Sequence, residues 1–146
     1  MKIINNFKLQ IPAKSANESF ARVAVGAFVS QLDPLIDEIA DIKTAVSEAV
    51  TNCIVHAYKD VSGDIYISAK ILSDNRVCIK IRDKGCGIAD IEKAMEPLFT
   101  TGSDDRAGLG FAIMQSFCNS VKVVSKKNSG TTVTLVKKII KKSNEP

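Results

Sequence analysis

The sequence predicts an α+β fold: a two-layer sandwich in which a mixed, mostly antiparallel sheet carries helices on one face. Three observations predict it. Segments 64–71 and 77–82 alternate apolar with polar residues, so each offers one buried and one wet side, and 131–136 is rich in β-branched residues. Two long stretches before the first of these place apolar residues at helical spacing instead. The order is strand, two helices, hairpin, short helix, loop, helix and two strands, which suits one layer of each kind rather than repeated βαβ units.

With 146 residues, the chain is read as one domain, 1–146, with 137–146 as a flexible basic tail. Its 45% hydrophobic and 25% charged residues are ordinary for a folded domain. The net charge of +4 is mild, and several of the lysines sit near the C-terminus at Lys137, Lys138, Lys141 and Lys142. A nucleic-acid footprint needs a basic face with aromatic neighbours. With no Trp and 5% aromatic residues, direct nucleic-acid binding is not expected. Four cysteines without a Cys-x-x-Cys pair, and a single His, argue against zinc. Cys53, Cys78 and Cys118 sit among apolar neighbours and read as core; Cys86, between glycines, reads as accessible. No apolar leader opens the chain, and no apolar run approaches the roughly 20 residues of a membrane span. The expectation is a cytoplasmic protein with no membrane contact.

The first strand covers 2–11 and stops at Pro12. Ser15 and Glu18 then have the spacing of a capping box. The helix that follows carries Phe20, Val23, Ala24, Ala27, Phe28 and Leu32 as its apolar set, with Glu18 and Arg22 on the polar side. Asp33 and Pro34 read as cap and first residue of a second helix, running to about 58. Segments 64–71 and 77–82 make a hairpin around Ser73-Asp74-Asn75. The hairpin delivers Asp83 to a strand end, followed by Gly85 and Gly87. A short helix over 90–96 ends at Pro97. The stretch 98–107 has few apolar residues and reads as a lid. Gly108-Leu109-Gly110 opens a helix with Phe111, Ile113, Met114 and Phe117 apolar. Strands at 121–125 and 131–136 close the chain around Asn128-Ser129-Gly130.

Within the second helix Glu48, Asn52 and His56 recur every four residues. Four residues drift only about 40° around a helix, so the three form one polar row on an otherwise apolar helix. A carboxylate, an amide and an imidazole in a row suit a metal–phosphate site with one member able to take a proton. Asp83 at a strand end can accept from an exocyclic amine such as that of adenine. Arg106, with Gly108-Leu109-Gly110 at a helix start, can hold phosphates. An amide oxygen can ligate Mg²⁺, which keeps several waters. A nucleoside triphosphate uses all three elements.

Glu48-x-x-x-Asn52, Asp83-x-Gly85-x-Gly87, Gly108-x-Gly110 and Gly130-Thr131 resemble the motifs of the Bergerat-fold superfamily of gyrase, the heat-shock 90 chaperones, histidine kinases and mismatch-repair ATPases. Over nearly the whole chain the sequence is most similar to the anti-sigma-factor serine kinases. Ser47-Glu48-Ala49-Val50-Thr51-Asn52, Glu96-Pro97-Leu98-Phe99-Thr100-Thr101 and Glu18-Ser19-Phe20-Ala21-Arg22-Val23 resemble the anti-sigma-F group of endospore-forming bacteria.

The resemblance implies roles. Glu48 would be the general base and Asn52 the Mg²⁺ ligand. Asp83, helped by Thr131, would bind adenine of ATP or ADP. Gly85, Gly87, Thr100, Thr101, Arg106, Gly108, Leu109 and Gly110 would line the nucleotide. His56 would face phosphate or support it, and a helix-end histidine bonded to backbone is an equally open reading. Glu18 and Arg22 would meet protein partners: a sigma-F-type sigma factor and a STAS-type anti-anti-sigma protein, the latter phosphorylated on serine. A homodimer is implied. The family's lid carries a Lys after Thr-Thr; Gly102 stands there in this chain, which leaves more of the phosphate charge to Arg106. Two related readings are a general-stress, anti-sigma-B-type kinase and a non-catalytic, ATP-gated sigma-binding module. A histidine-kinase catalytic module fits less well, because the one His lies inside the nucleotide helix.

Overall fold

The computed structural model describes residues 2–58, 61–88 and 106–140, the side chains of 106–109 excepted. The sequence-predicted helix at 90–96, the lid up to residue 105 with Thr100, Thr101 and Gly102, and the tail beyond 140 lie outside these residues. Strands β1 (Ile3–Pro12), β2 (Asp64–Leu72), β3 (Arg76–Asp83), β4 (Ser120–Lys126) and β5 (Gly130–Lys138) form one sheet in the order β1-β2-β3-β5-β4. All four pairings are antiparallel, so among the described residues the sheet is not mixed. Helices α1 (Ala16–Val29), α2 (Ile36–Asn52) and α3 (Arg106–Phe117) accompany it. The α+β two-layer class stands.

The alternation read in the sequence is what builds the core. Ile65, Ile67, Ala69 and Ile71 of β2 and Val77, Ile79 and Ile81 of β3 are all buried on one face. They meet Ile42, Ala45, Val46, Ala49 and Val50 of α2 and Phe111 and Met114 of α3 in one apolar cluster. Each fully buried aliphatic side chain contributes about 1.5–3 kcal/mol relative to exposure. Helix α2 packs against both α1 and α3 and is the centre of the helical layer.

Several local expectations are corrected. Ser15 makes no side-chain cap; Glu18 bonds Ser47 Oγ instead, so contact with α2 outcompetes the local bond. Helix α2 starts at Ile36, not at Pro34: Asp33 takes a left-handed φ of 50° that closes a short 3₁₀ turn. The reaching-back carboxylate belongs to Glu38, which accepts from Leu35 N–H at 2.8 Å. On α1 the buried face is Ala21, Val25, Gly26 and Val29, while Phe20 and Val23 are 50% and 55% exposed. Gly26 lies so close to Lys43 of α2 that a β-carbon would sit 2.5 Å from its Cε. Close helix approach selects the small residues and leaves larger apolar ones outside. Residues 137–140 are no tail. Strand β5 runs to Lys138, Lys137 donates to Phe117 O at 2.7 Å, and Ile139 is buried. Of the cysteines, Cys53 is core and Cys86 exposed as expected, whereas Cys78 and Cys118 are only half-buried.

Candidate functional site

The inner, helix-facing side of the sheet is apolar until its last row. There Asp83 of β3 stands opposite Thr131 of β5, and Thr131 opposite Ser125 of β4. Three adjacent strands thus place a carboxylate and two hydroxyls side by side. Asp83 is buried. Its Oδ1 accepts from Gly85 N–H at 2.9 Å and Thr131 N–H at 3.2 Å, and its Oδ2 accepts from the Cys53 thiol at 3.6 Å. Burial pushes the carboxyl above its ordinary pKa, and the bonds from Gly85, Cys53 and Thr131 pull it partly back. The same surroundings raise the Cys53 thiol, by burial first and by the Asp83 charge second, so it stays a donor. Asp83 and Thr131, which the resemblance pairs in one pocket, are neighbours in the sheet.

The loop after β3 is threaded between two backbones. Cys86 N–H donates to Ala57 O at 3.0 Å, and Asn128 N–H donates to Cys86 O at 2.6 Å. A β-carbon on Gly85 would strike the Ala57 carbonyl. One on Gly87 would strike the Lys126 carbonyl, and Gly87 has φ of 73°, where only glycine is unstrained. Tyr58 pins the same loop: its hydroxyl accepts from Lys84 N–H at 2.6 Å and donates to Asp64 O at 2.7 Å.

A second polar group is built by helices. A β-carbon on Gly110 would lie 3.3 Å from Glu48 Oε2 and 3.5 Å from Asn52 Oδ1. The start of α3 therefore abuts the polar row of α2. Helix α3 is described from Arg106 onward, so Gly108-Leu109-Gly110 lies on the helix rather than opening it. The backbone of Arg106, Gly108 and Leu109 is thereby placed on this helix, while their side chains lie outside the description. Asn52 Nδ2 is buried with no hydrogen-bond partner among the described residues. Leaving such a donor bare costs about 1–3 kcal/mol, so the geometry fits a polar ligand beside it. The amide oxygen next to Glu48 and a helix start also fits the few protein oxygens that Mg²⁺ takes.

His56 does not continue the row as a plain α-helical step. Residues Cys53–Ala57 form a widened π turn, closed by Tyr58 N–H to Cys53 O at 3.3 Å. Such turns occur often at functional sites. The four-residue spacing of Glu48 and Asn52 lies on regular helix, and that of His56 does not.

Glu18 and Arg22 lie together on α1. Arg22 Nε is 3.6 Å from Glu18 Oε1, and Ser47 of α2 donates to the same carboxylate oxygen. Beside them are the exposed Phe20 and Val23.

A family model described as a histidine kinase-like ATPase domain matches residues 11–137. An anti-sigma F factor of Caldanaerobacter subterraneus is 55% identical over 95% of this chain and 97% of its own length. One from Anoxybacillus flavithermus is 53% identical over 94% of each. The chain belongs to the anti-sigma F factors, within the histidine kinase-like ATPase domains. Its fold is shared by a Mycobacterium tuberculosis protein with RsbU and RsbW domains: TM-score 0.69, 22% identity, 92% of this chain and 32% of that one. It is also shared by the histidine kinase domain of a blue-light activated kinase from Erythrobacter litoralis, at TM-score 0.56 and 19% identity over 88% of this chain and 62% of that one. Among the described residues no helix is long and apolar enough to cross a membrane.

Three residues bonded to the Asp83 row and its loop carry no role in the sequence reading: Cys53, Tyr58 and Ser125. Cys53 and Tyr58 reach partners 26 or more residues away, and Ser125 reaches one across a strand pair. The one available signal was that Cys53 follows Asn52 directly in the polar helix.

Proposed function

We propose that this protein is a cytoplasmic anti-sigma factor of the sigma-F type and an ATP-dependent serine kinase acting on a STAS-type anti-anti-sigma protein. The observation that carries it is the meeting of Glu48, Asn52 and Gly110 at the start of α3. Asp83, with Thr131, accepts from the adenine amine, and the glycine loop at Gly85 and Gly87 lies beside it. Backbone N–H groups toward the N-terminal end of α3, Gly108 among them, receive phosphate oxygens, with Leu109 and Gly110 in the same stretch. Asn52 Oδ1 holds Mg²⁺, which supplies charge neutralisation of the phosphates when bound. In the transfer, the partner's serine Oγ bonds to the γ-phosphorus as the bridging oxygen leaves with ADP. Glu48 takes the hydroxyl proton. Thr100, Thr101 and Arg106 complete the phosphate end in this reading, and His56 supports it from the widened turn.

The partner surface is α1. Phe20, Val23 and Ala27 form an exposed apolar stripe with Glu18 and Arg22 at its side, a composition suited to a protein contact. The high identity to anti-sigma F factors favours sigma-F over sigma-B. A homodimer belongs to the same proposal, and sedimentation at micromolar concentration tests it. The central test is incubation with γ-labelled ATP, Mg²⁺ and a STAS-type partner. Label on a partner serine supports the kinase. Tight partner binding without label makes the protein an ATP-gated binding module instead.

A further inference from the structure

Ser125 has a complete and directional set of bonds. Its Oγ lies 3.0 Å from Gly130 O, 2.8 Å from Ile88 N and 2.7 Å from Thr131 Oγ1. A carbonyl oxygen can only accept, so the single Ser125 proton goes to Gly130 O. The Ile88 N–H can only donate, and it takes one Ser125 lone pair. The remaining lone pair faces Thr131, whose hydroxyl must therefore be the donor. Thr131 has then spent its only side-chain proton and retains lone pairs alone. Next to it in register is Asp83, and an ionised Asp83 has no proton to give.

From this we infer that Ser125 is a specificity-determining, positioning residue. By fixing the direction of the Thr131 hydroxyl proton, it makes this end of the pocket acceptor-only, matched to a purine carrying a 6-amino group and opposed to a 6-keto purine. The inference rests on the assignment of Asp83 and Thr131 to the base of the nucleotide. It adds a residue that touches no ligand and acts through another side chain. Acceptors that face position 6 oppose a keto oxygen there, because two lone pairs then face each other without a proton.

The experiment compares ATP with inosine triphosphate, which differ at position 6 in amine against carbonyl and at N1 in a lone pair against an N–H, by calorimetric titration of the full chain. Ser125→Ala frees the Thr131 hydroxyl to turn and donate to a 6-keto oxygen. The ATP-to-inosine-triphosphate affinity ratio should narrow about tenfold, the scale of one hydrogen bond gained on one side and weakened on the other. Ser125→Thr keeps the hydroxyl and should keep the wild-type ratio. In a Thr131→Val background, Ser125→Ala should narrow the ratio no further, since the two residues act as one unit. An unchanged ratio in Ser125→Ala, or equal narrowing in Ser125→Thr, overturns the inference. Asp83→Asn separates it from its foundation. If that variant leaves the ratio untouched, the base assignment itself fails. If Asp83→Asn collapses the ratio and Ser125→Ala does not, the assignment stands and the Ser125 role alone is lost. Should Ser125→Ala not fold, Thr131→Val with Ser125→Thr still decides: the first must narrow the ratio and the second must not.

Discussion

The two polar groups of the candidate site are built by different means. The group with Asp83, Thr131 and Ser125 is a row across three strands, so its geometry is inherited from ladder register. The group with Glu48 and Asn52 is a face of α2 met by the start of α3. A sheet row fixes side chains relative to one another through backbone hydrogen bonds. A helix pair fixes them only through packing. In the proposed function the sheet row takes the base and serves discrimination, where tenths of an ångström decide which group fits. The helical group takes the phosphates and serves chemistry, where charge and a proton acceptor matter more than shape.

That contrast can be broken by substitution. The largest effect is expected in the helical group. Glu48→Gln should lower phosphoryl transfer by about 10²–10⁴, the usual worth of a positioned base, with ATP affinity changed by less than about threefold. Single-turnover rates and calorimetric affinities measured together check it; equal losses in both would place Glu48 in binding instead. Asp83→Asn should do the reverse. A hydrogen bond to a charged group is worth about 1.5–3 kcal/mol, so ATP affinity should fall roughly ten- to a hundredfold.

The same variant makes a stability claim with a definite sign. Burial raises the folded-state pKa of Asp83 above its unfolded value. Its contribution is then fully favourable below the unfolded carboxyl pKa and is lost as pH rises through the folded one. At neutral pH the carboxylate weakens the nucleotide-free fold. Thermal melts at pH 7 should show Asp83→Asn no less stable than wild type, with any advantage shrinking toward acid pH.

Gly87→Ala should strain the loop that frames the Asp83 row, at about 1–3 kcal/mol for a non-glycine held at positive φ against a carbonyl. A lowered urea midpoint measures this. The smallest effect is expected for Cys53→Ala. It removes one weak thiol donor from Asp83 Oδ2 and should cost ATP affinity less than about fivefold. A loss as large as that of Asp83→Asn would mean that the thiol, rather than the register, sets the carboxylate.

The layers were legible in the sequence because alternation in β2 and β3 is a local property that burial enforces. Glu48 and Asn52 were legible for the same reason, since both lie on regular helix. What escaped depended on contacts distant in the chain. The Ser15 cap failed because Glu18 is taken by Ser47 of another helix. The face of α1 was misplaced by about one residue because helix approach, rather than side-chain size, chose what to bury. The widened turn at Cys53–Ala57, which carries His56, escaped because it has no periodic signature. The row of Asp83, Thr131 and Ser125 needed the register of three strands, and no window of a single strand contains it.

The bonds at Asp83 have one more consequence. Two backbone amides, of Gly85 and Thr131, point their protons at one carboxylate oxygen. Their ¹H and ¹⁵N resonances must respond to the charge of that oxygen. The molecule thus carries a pair of intrinsic probes, one on a loop and one on a strand, that read the ionisation of Asp83 and the arrival of a base without any label being introduced.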